Sequence, residues 1–190
     1  MLASNCLFLE KGNCNFPNQS YRRFVAVGPK VFDGSVVCGL CMQIKSGKNA
    51  LVAAVVDTCI GCSPTDILLD QPSFAKLGNT TMGILAIQWQ PVLCRASGGI
   101  RFAWIKGSTA SWSAVAIRNA AAPIKLLEAY IDQKWTPVKH EFYNYFTLKA
   151  FGPGPFKFRM TSYFGEVIIE ESVPLINTTS YKSKLQFTKT

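Results

Sequence analysis

The stretch Ala50–Cys62, ALVAAVVDTCIGC, decides how this chain reads. Its first seven residues are apolar without a break, which predicts a strand buried on both faces, as inside a closed barrel. Asp57 then ends the strand at a Cys-rich turn, so its carboxylate is expected on the barrel rim. There it either bonds backbone N–H groups, as strand-end aspartates commonly do, or grips a ligand hydroxyl. Outward from this stretch, Val36–Ile44 and Met82–Pro91 (MGILAIQWQP) are β-branched or apolar runs bounded by Gly, Lys or Asn, and read as further strands. Only Gln71–Leu77 (QPSFAKL) and Asn18–Val27 have the length and composition for a turn or two of helix.

The 190 residues are 48% hydrophobic, enough for one or two small domains with real cores, and they exclude a disordered chain. The longest uncharged apolar run is Ala50–Val56, far short of the roughly 20 residues that cross a bilayer as a helix, so no membrane partner is expected. Met1–Ser4 opens no signal peptide, because no apolar segment follows before Lys11; the expectation is a mature form whose leader has been removed. The net charge of +9 divides into +3 over residues 1–96 and +6 over residues 97–190. The basic residues are dispersed, with Arg22-Arg23 the only adjacent pair, which argues against nucleic acid. An acidic polysaccharide remains a partner that such a charge would attract.

All seven cysteines lie at or before Cys94. Cys38-x2-Cys41 and Cys59-x2-Cys62 match the spacing of a four-thiolate zinc site. Cys6, Cys14 and Cys94 are then left without a role, and the segment between the two pairs reads as strands. Sequons at Asn18, Asn79 and Asn177 also have meaning only in a secreted chain. Disulfides in an oxidising compartment are therefore favoured over zinc, with no metal expected. Seven is odd, and Cys6 is the thiol expected to stand apart.

After Cys94 the small-residue stretch Ala96–Gly99 reads as a linker, and a succession of short strands follows: Ile100–Ile105, Ser113–Arg118, Lys125–Tyr130, Tyr145–Leu148, Phe156–Met160 and Val167–Glu171. Their spacing is that of an antiparallel sandwich. In Phe156–Met160, alternation puts Phe156, Phe158 and Met160 on one face and Lys157 and Arg159 on the other. The expected organisation is a disulfide-bonded barrel over 1–96, a sandwich over 97–175 and a tail over 176–190.

The order of motifs resembles the expansins and their microbial relatives. It includes Gly12–Pro17 (GNCNFP), Cys38–Cys41 (CGLC), Val56–Cys62 (VDTCIGC) and Asp70–Gly78 (DQPSFAKLG). The second half continues it with Ile105–Ser108 (IKGS), Ser111-Trp112 through Ile117–Asn119, Phe142–Tyr145 (FYNY) and Phe158–Thr161 (FRMT). The resemblance covers nearly the entire chain. It implies a mostly β fold: a six-stranded double-psi β-barrel followed by an immunoglobulin-like, cellulose-binding β-sandwich. The implied activity is binding cellulose or a related β-glucan and loosening non-covalent glucan contacts. No bond is cut and no cofactor or metal is needed, and the chain is expected to be monomeric and secreted to the cell wall. It also implies the pairs Cys14–Cys38, Cys41–Cys94 and Cys59–Cys62.

By the same resemblance Asp57 lines a polysaccharide groove. A second groove acid is expected six residues before Phe74, and that position holds Leu68. Asp66 and Asp70 flank it and, on an extended segment, share its face, displaced by about 6–7 Å, so either is a candidate stand-in. A glycan-cleaving enzyme would need Asp57 paired with one of them, since glycoside hydrolysis normally takes two carboxyl groups. A barrel silenced by Leu68, leaving a pure wall-binding protein, is the other alternative. His140, the sole imidazole, has no nucleophile at a motif position and is expected at the surface. In the second domain Trp112 and Tyr143 map to a linear sugar-stacking surface with Lys106 beside it. Its third aromatic position holds Ser111, for which Trp104 or Tyr145 could compensate unless they are core residues.

Overall fold

The computed structural model describes residues 2–6, 12–17, 21–176 and 179–190, with the backbone alone for 4–6. The sequons at Asn18 and Asn177, and the side chain of Cys6, lie outside the described parts. The chain divides into two compact units, Met1–Cys94 and Arg95–Thr190, and its fold is mostly β.

The first unit contains β1 (Leu2–Cys6), β2 (Phe24–Val27), α1 (Pro29–Phe32), β3 (Cys41–Ser46), β4 (Asn49–Thr58), β5 (Ile67–Asp70), α2 (Gln71–Leu77), β6 (Ile84–Ala86) and β7 (Gln88–Val92). The sheet order is β6-β1-β5-β2-β4-β3-β7. Its two edges, β6 and β7, are halves of a single run interrupted at Ile87, so the sheet closes on itself and six strands' worth of chain makes a barrel. At its centre β5 and β2 run antiparallel, and each is flanked by a parallel partner, β1 and β4. That is the double-psi arrangement.

Local reading and structure part at three places in this unit. Asn18–Val27 was expected to be helical, yet Phe24–Val27 is the strand between β5 and β4, with Val25, Ala26 and Val27 almost wholly buried; burial on both faces overrides a weak helical preference. Val36–Ile44 is strand only from Cys41, because Cys38 is tied to Cys14 and Gly39 takes φ +82°, which turns the chain before β3. Ala50–Val56 is not buried throughout: β4 begins at a two-residue hairpin loop, Gly47-Lys48, and its first turn of alternation buries Leu51 while Ala50 and Val52 stay exposed; both faces are covered only from Ala53. The helix over Gln71–Leu77 is present, capped by the Asp70 side chain on Ser73 N (3.2 Å).

The cysteines pair Cys14–Cys38, Cys41–Cys94 and Cys59–Cys62. The four cysteines with zinc-like spacing therefore go to three different bridges. Among the described residues no cluster of three or more His, Cys, Asp or Glu could hold a metal ion. Loop closure in the unfolded chain predicts about 3 kcal/mol from the first bridge and about 4 kcal/mol from the second.

The second unit contains β8 (Arg101–Trp104), β9 (Trp112–Arg118), β10 (Ile124–Ile131), β11 (Lys134–Pro137), β12 (Lys139–His140), β13 (Phe146–Lys149), β14 (Phe156–Ser162), β15 (Val167–Val173) and β16 (Tyr181–Lys182). They form two antiparallel sheets, β11-β10-β14-β15 and β12-β13-β9-β8-β16, an immunoglobulin-like sandwich. Alternation along β14 buries Phe156, Phe158 and Met160. Phe158 stacks on Phe102 of the other sheet (centroids 5.7 Å apart), and Phe156 packs against Trp104 (5.3 Å). Residues 176–190 are expected as a tail, yet within 179–190 the chain pairs and packs into this sandwich. β16 pairs with β8, Phe187 is buried, and Gln186 bonds Gly98, Asn119 and Ala121. Gly99, read as linker, lies where the backbone of Ser183 passes so close that a Cβ would strike its carbonyl.

Candidate functional site

Two regions gather the expected site residues. In the barrel, Asp57 near the end of β4 is half-buried, and its Oδ1 accepts from the backbone N–H of Asn13 and of Thr58, both at 2.8 Å. The turn that supplies Asn13 can lie this close because residue 12 is Gly: a Cβ there would collide with the Val56 carbonyl and the Asp57 side chain. Asp57 thus has the structural role of a turn aspartate through Oδ1, while Oδ2 has no partner among the described residues.

Registers relate Asp57 to Leu68. Asp57 on β4 faces Ala26 on β2, and Ala26 faces Leu68 on β5. The three share one row of the sheet, and two strand spacings separate Asp57 from Leu68, about 10 Å between Cα atoms. Leu68 and Asp70 share a face of β5, opposite buried Ile67 and Leu69. Each candidate stand-in commits one carboxylate oxygen to the backbone. Asp66 Oδ1 accepts from Leu2 N (3.0 Å), tying β1 to the barrel, and Asp70 caps α2 with Oδ2.

In the sandwich, residues of β9 alternate between faces. Val115 and Ile117 pair with Trp104 and Phe102 and belong to the core, so Trp112 and Arg118 lie on the outer face of the five-stranded sheet. Trp112 is 40% exposed and Tyr143 is 51% exposed. Lys106 is exposed in the β8–β9 connection, which folds back on the start of β9 through Ile105 N to Ala114 O and Thr109 N to Trp112 O. Tyr143 is in the β12–β13 connection, its ring 5.9 Å from that of Tyr145. One step beyond the Phe146–Val115 pair, Tyr145 comes level with Ala116, four residues from Trp112 and about 13 Å along the strand. The indole and the tyrosines therefore stand at the two ends of one sheet face.

Of the two compensating aromatics, Trp104 is excluded: it is buried and its Nε1 donates to the Pro174 carbonyl (2.9 Å), which makes it core. Tyr145 is half-buried between Tyr143 and the Arg118 guanidinium, 5.8 Å above its ring. Ser111 is exposed beside Trp112. On the same outer face, Glu141 bridges Lys139 (2.9 Å) and Thr147 (2.8 Å), and the Lys139 ammonium holds its carboxyl below the ordinary range. His140, expected at the surface, is half-buried and stacked on Phe146 at 4.1 Å. Burial holds its imidazole below the usual value, against the opposing influence of Asn144 and Glu141.

Sequence reasoning missed a second aromatic group, Tyr130 and Trp135 on the outer face of the four-stranded sheet. Periodicity in β10 could have flagged Tyr130. This chain's own cations approach both rings, Arg159 4.6 Å over Trp135 and Lys157 5.5 Å over Tyr130, while Tyr130 stays 42% exposed.

No family model matches the chain. Among curated proteins it is similar to Expansin-like protein 5 of Dictyostelium discoideum, 26% identical over 193 residues that span 94% of this chain and 81% of that protein. It is also similar to Expansin-YoaJ of Bacillus subtilis, 26% identical over 140 residues, 74% of this chain and 60% of that protein. These relatives are expansins and expansin-like proteins, and the chain is similar to them over most of its length. The fold is shared with a solved expansin. A crystal structure of a mutant Clavibacter michiganensis expansin in complex with cellohexaose superposes on all of this chain and 97% of that one, with a TM-score of 0.87 at 22% identity.

Proposed function

We propose that this expansin-like chain is a secreted, non-hydrolytic wall protein that docks on cellulose or a related β-glucan through Trp112, Tyr143 and Lys106, with Asp57 engaging a glucan in the barrel groove. The observation that carries the reading is the exposure of Trp112, on the outer face of the five-stranded sheet, and of Tyr143, whose ring lies beside that of Tyr145. Pyranose rings present apolar C–H faces to a flat aromatic while their edge hydroxyls reach polar neighbours, and Lys106 is such a neighbour. The cellohexaose in the related crystal structure supports a glucan as ligand. Arg101, Arg118, Lys139 and Lys149 share the outer face by register, which suits an additional attraction to acidic wall polymers.

Hydrolysis is disfavoured because Leu68 holds the position on the row of Asp57, and both flanking acids commit one carboxylate oxygen to the backbone, Asp66 to Leu2 N and Asp70 to Ser73 N. Leu68 on the row of Asp57 favours one second reading, a wall-binding protein whose barrel no longer loosens. The deciding experiment is creep of a wall strip under constant load, with reducing sugar measured alongside. Creep without sugar release, lost in Trp112→Ala and in Asp57→Asn, is the expected result. Binding without creep selects the second reading, and sugar release overturns both.

A further inference from the structure

A cavity of about 320 Å³ opens in the barrel unit between Leu2, Gly61, Cys62, Asp66, Leu68 and Ile84. Its chemistry is uneven. Leu2 and Ile84 are exposed large apolar side chains, 45% and 53%, and Leu68 joins them at the position where the row of Asp57 would otherwise offer an acid. The polar side chain is Asp66, whose Oδ1 already accepts from Leu2 N, leaving Oδ2 for a donor. The Cys59–Cys62 bridge closes the loop that forms the Gly61-Cys62 wall, so the wall is pre-formed.

An unsubstituted sugar fits this lining poorly, because a hydroxyl seated against Leu2, Leu68 and Ile84 loses water without gaining a partner. A methyl group gains there by leaving water. A carboxylate ligand is repelled by Asp66, while an amide N–H is the donor its free oxygen lacks. We propose that this cavity takes the acetamido group of an N-acetylated sugar in a glycan, with the methyl against Leu2, Leu68 and Ile84 and the N–H donating to Asp66. The proposal rests on the polysaccharide-binding reading above and names a substrate class for its barrel half. An O-acetyl ester supplies the methyl without the donor and fits less well.

The test is amide NMR of the full chain titrated with the hexamer of N-acetylglucosamine, with cellohexaose and with an O-acetylated xylo-oligosaccharide. The N-acetylated hexamer should shift the amides of Gly61, Cys62, Leu68 and Ile84 at concentrations about tenfold below those the other two need. Leu68→Asp should erase that preference, and Ile84→Ser, at an exposed position, should weaken it without a loss of fold. Cellohexaose or the O-acetylated sugar acting as strongly as the N-acetylated one at these amides overturns the proposal. So does a preference unchanged by both substitutions. Shifts confined to the surroundings of Trp112 overturn it while leaving the sandwich reading intact, and no shift anywhere overturns both.

Discussion

Asp57 commits one carboxylate oxygen to the N–H groups of Asn13 and Thr58, so its replacement has two separable effects. Asp57→Ala strands both donors and should cost about 1–3 kcal/mol in urea unfolding. Asp57→Asn keeps an acceptor oxygen and should cost less than about 1 kcal/mol, which makes it the variant in which wall creep reports on the groove; equal losses for the two would mean the backbone bonds contribute little. His140 gives a pH dependence of definite sign. Burial lowers its pKa from 6.5, so the folded chain binds that proton less readily than the unfolded chain, and stability present above 6.5 is lost as pH falls below it. Glu141, beside Lys139, and Glu128, hydrogen-bonded to Arg159, are lowered from 4.5 and add a second loss below that pH. Thermal melts should therefore fall in two stages on acidification, and His140→Gln should remove the upper stage alone.

At the scale of elements, the C-terminal stretch is where structure and composition disagree most. Phe187 is buried and β16 completes the five-stranded sheet, so Phe187→Ala should destabilise the sandwich by about 3–5 kcal/mol. A solvated tail would leave the melting temperature unchanged. The strands that sequence reading missed in this unit, Lys134–Pro137, Lys139–His140 and Tyr181–Lys182, are all at sheet edges. They are short and carry Lys or Pro, features that keep an exposed edge from pairing with other chains and also mute the apolar alternation by which a strand is recognised. The central strand Phe156–Ser162 was legible because core packing demands that alternation, and Trp112–Arg118 because its middle is apolar and buried throughout. Phe24–Val27 was misread for the complementary reason: four apolar residues carry no period, and only neighbours on both sides make them a strand.

For the whole molecule, the bridges confine redox sensitivity to one unit, since every cysteine lies at or before Cys94 and the second unit begins at Arg95. Reduction should lower the unfolding transition of the barrel and leave that of the sandwich in place, resolved by near-UV circular dichroism; a single shared shift would contradict this. The proposed site was partly legible. Trp112, Tyr143, Lys106 and Asp57 could be named from motif order, whereas the engagement of Asp66 and Asp70 could not, because their partners Leu2 and Ser73 are chosen by strand register and helix start. Burial of Trp104 likewise depends on the facing sheet. The central claim, that the exposed rings of the five-stranded face carry the glucan, is tested most directly by binding isotherms on insoluble cellulose at 1 M salt, where charge attraction is screened to about 3 Å. Trp112→Ala should weaken binding about fivefold, the worth of one stacking contact, and Trp112→Ala with Tyr143→Ala should weaken it further. Isotherms of both variants that overlay the parent chain would contradict the account.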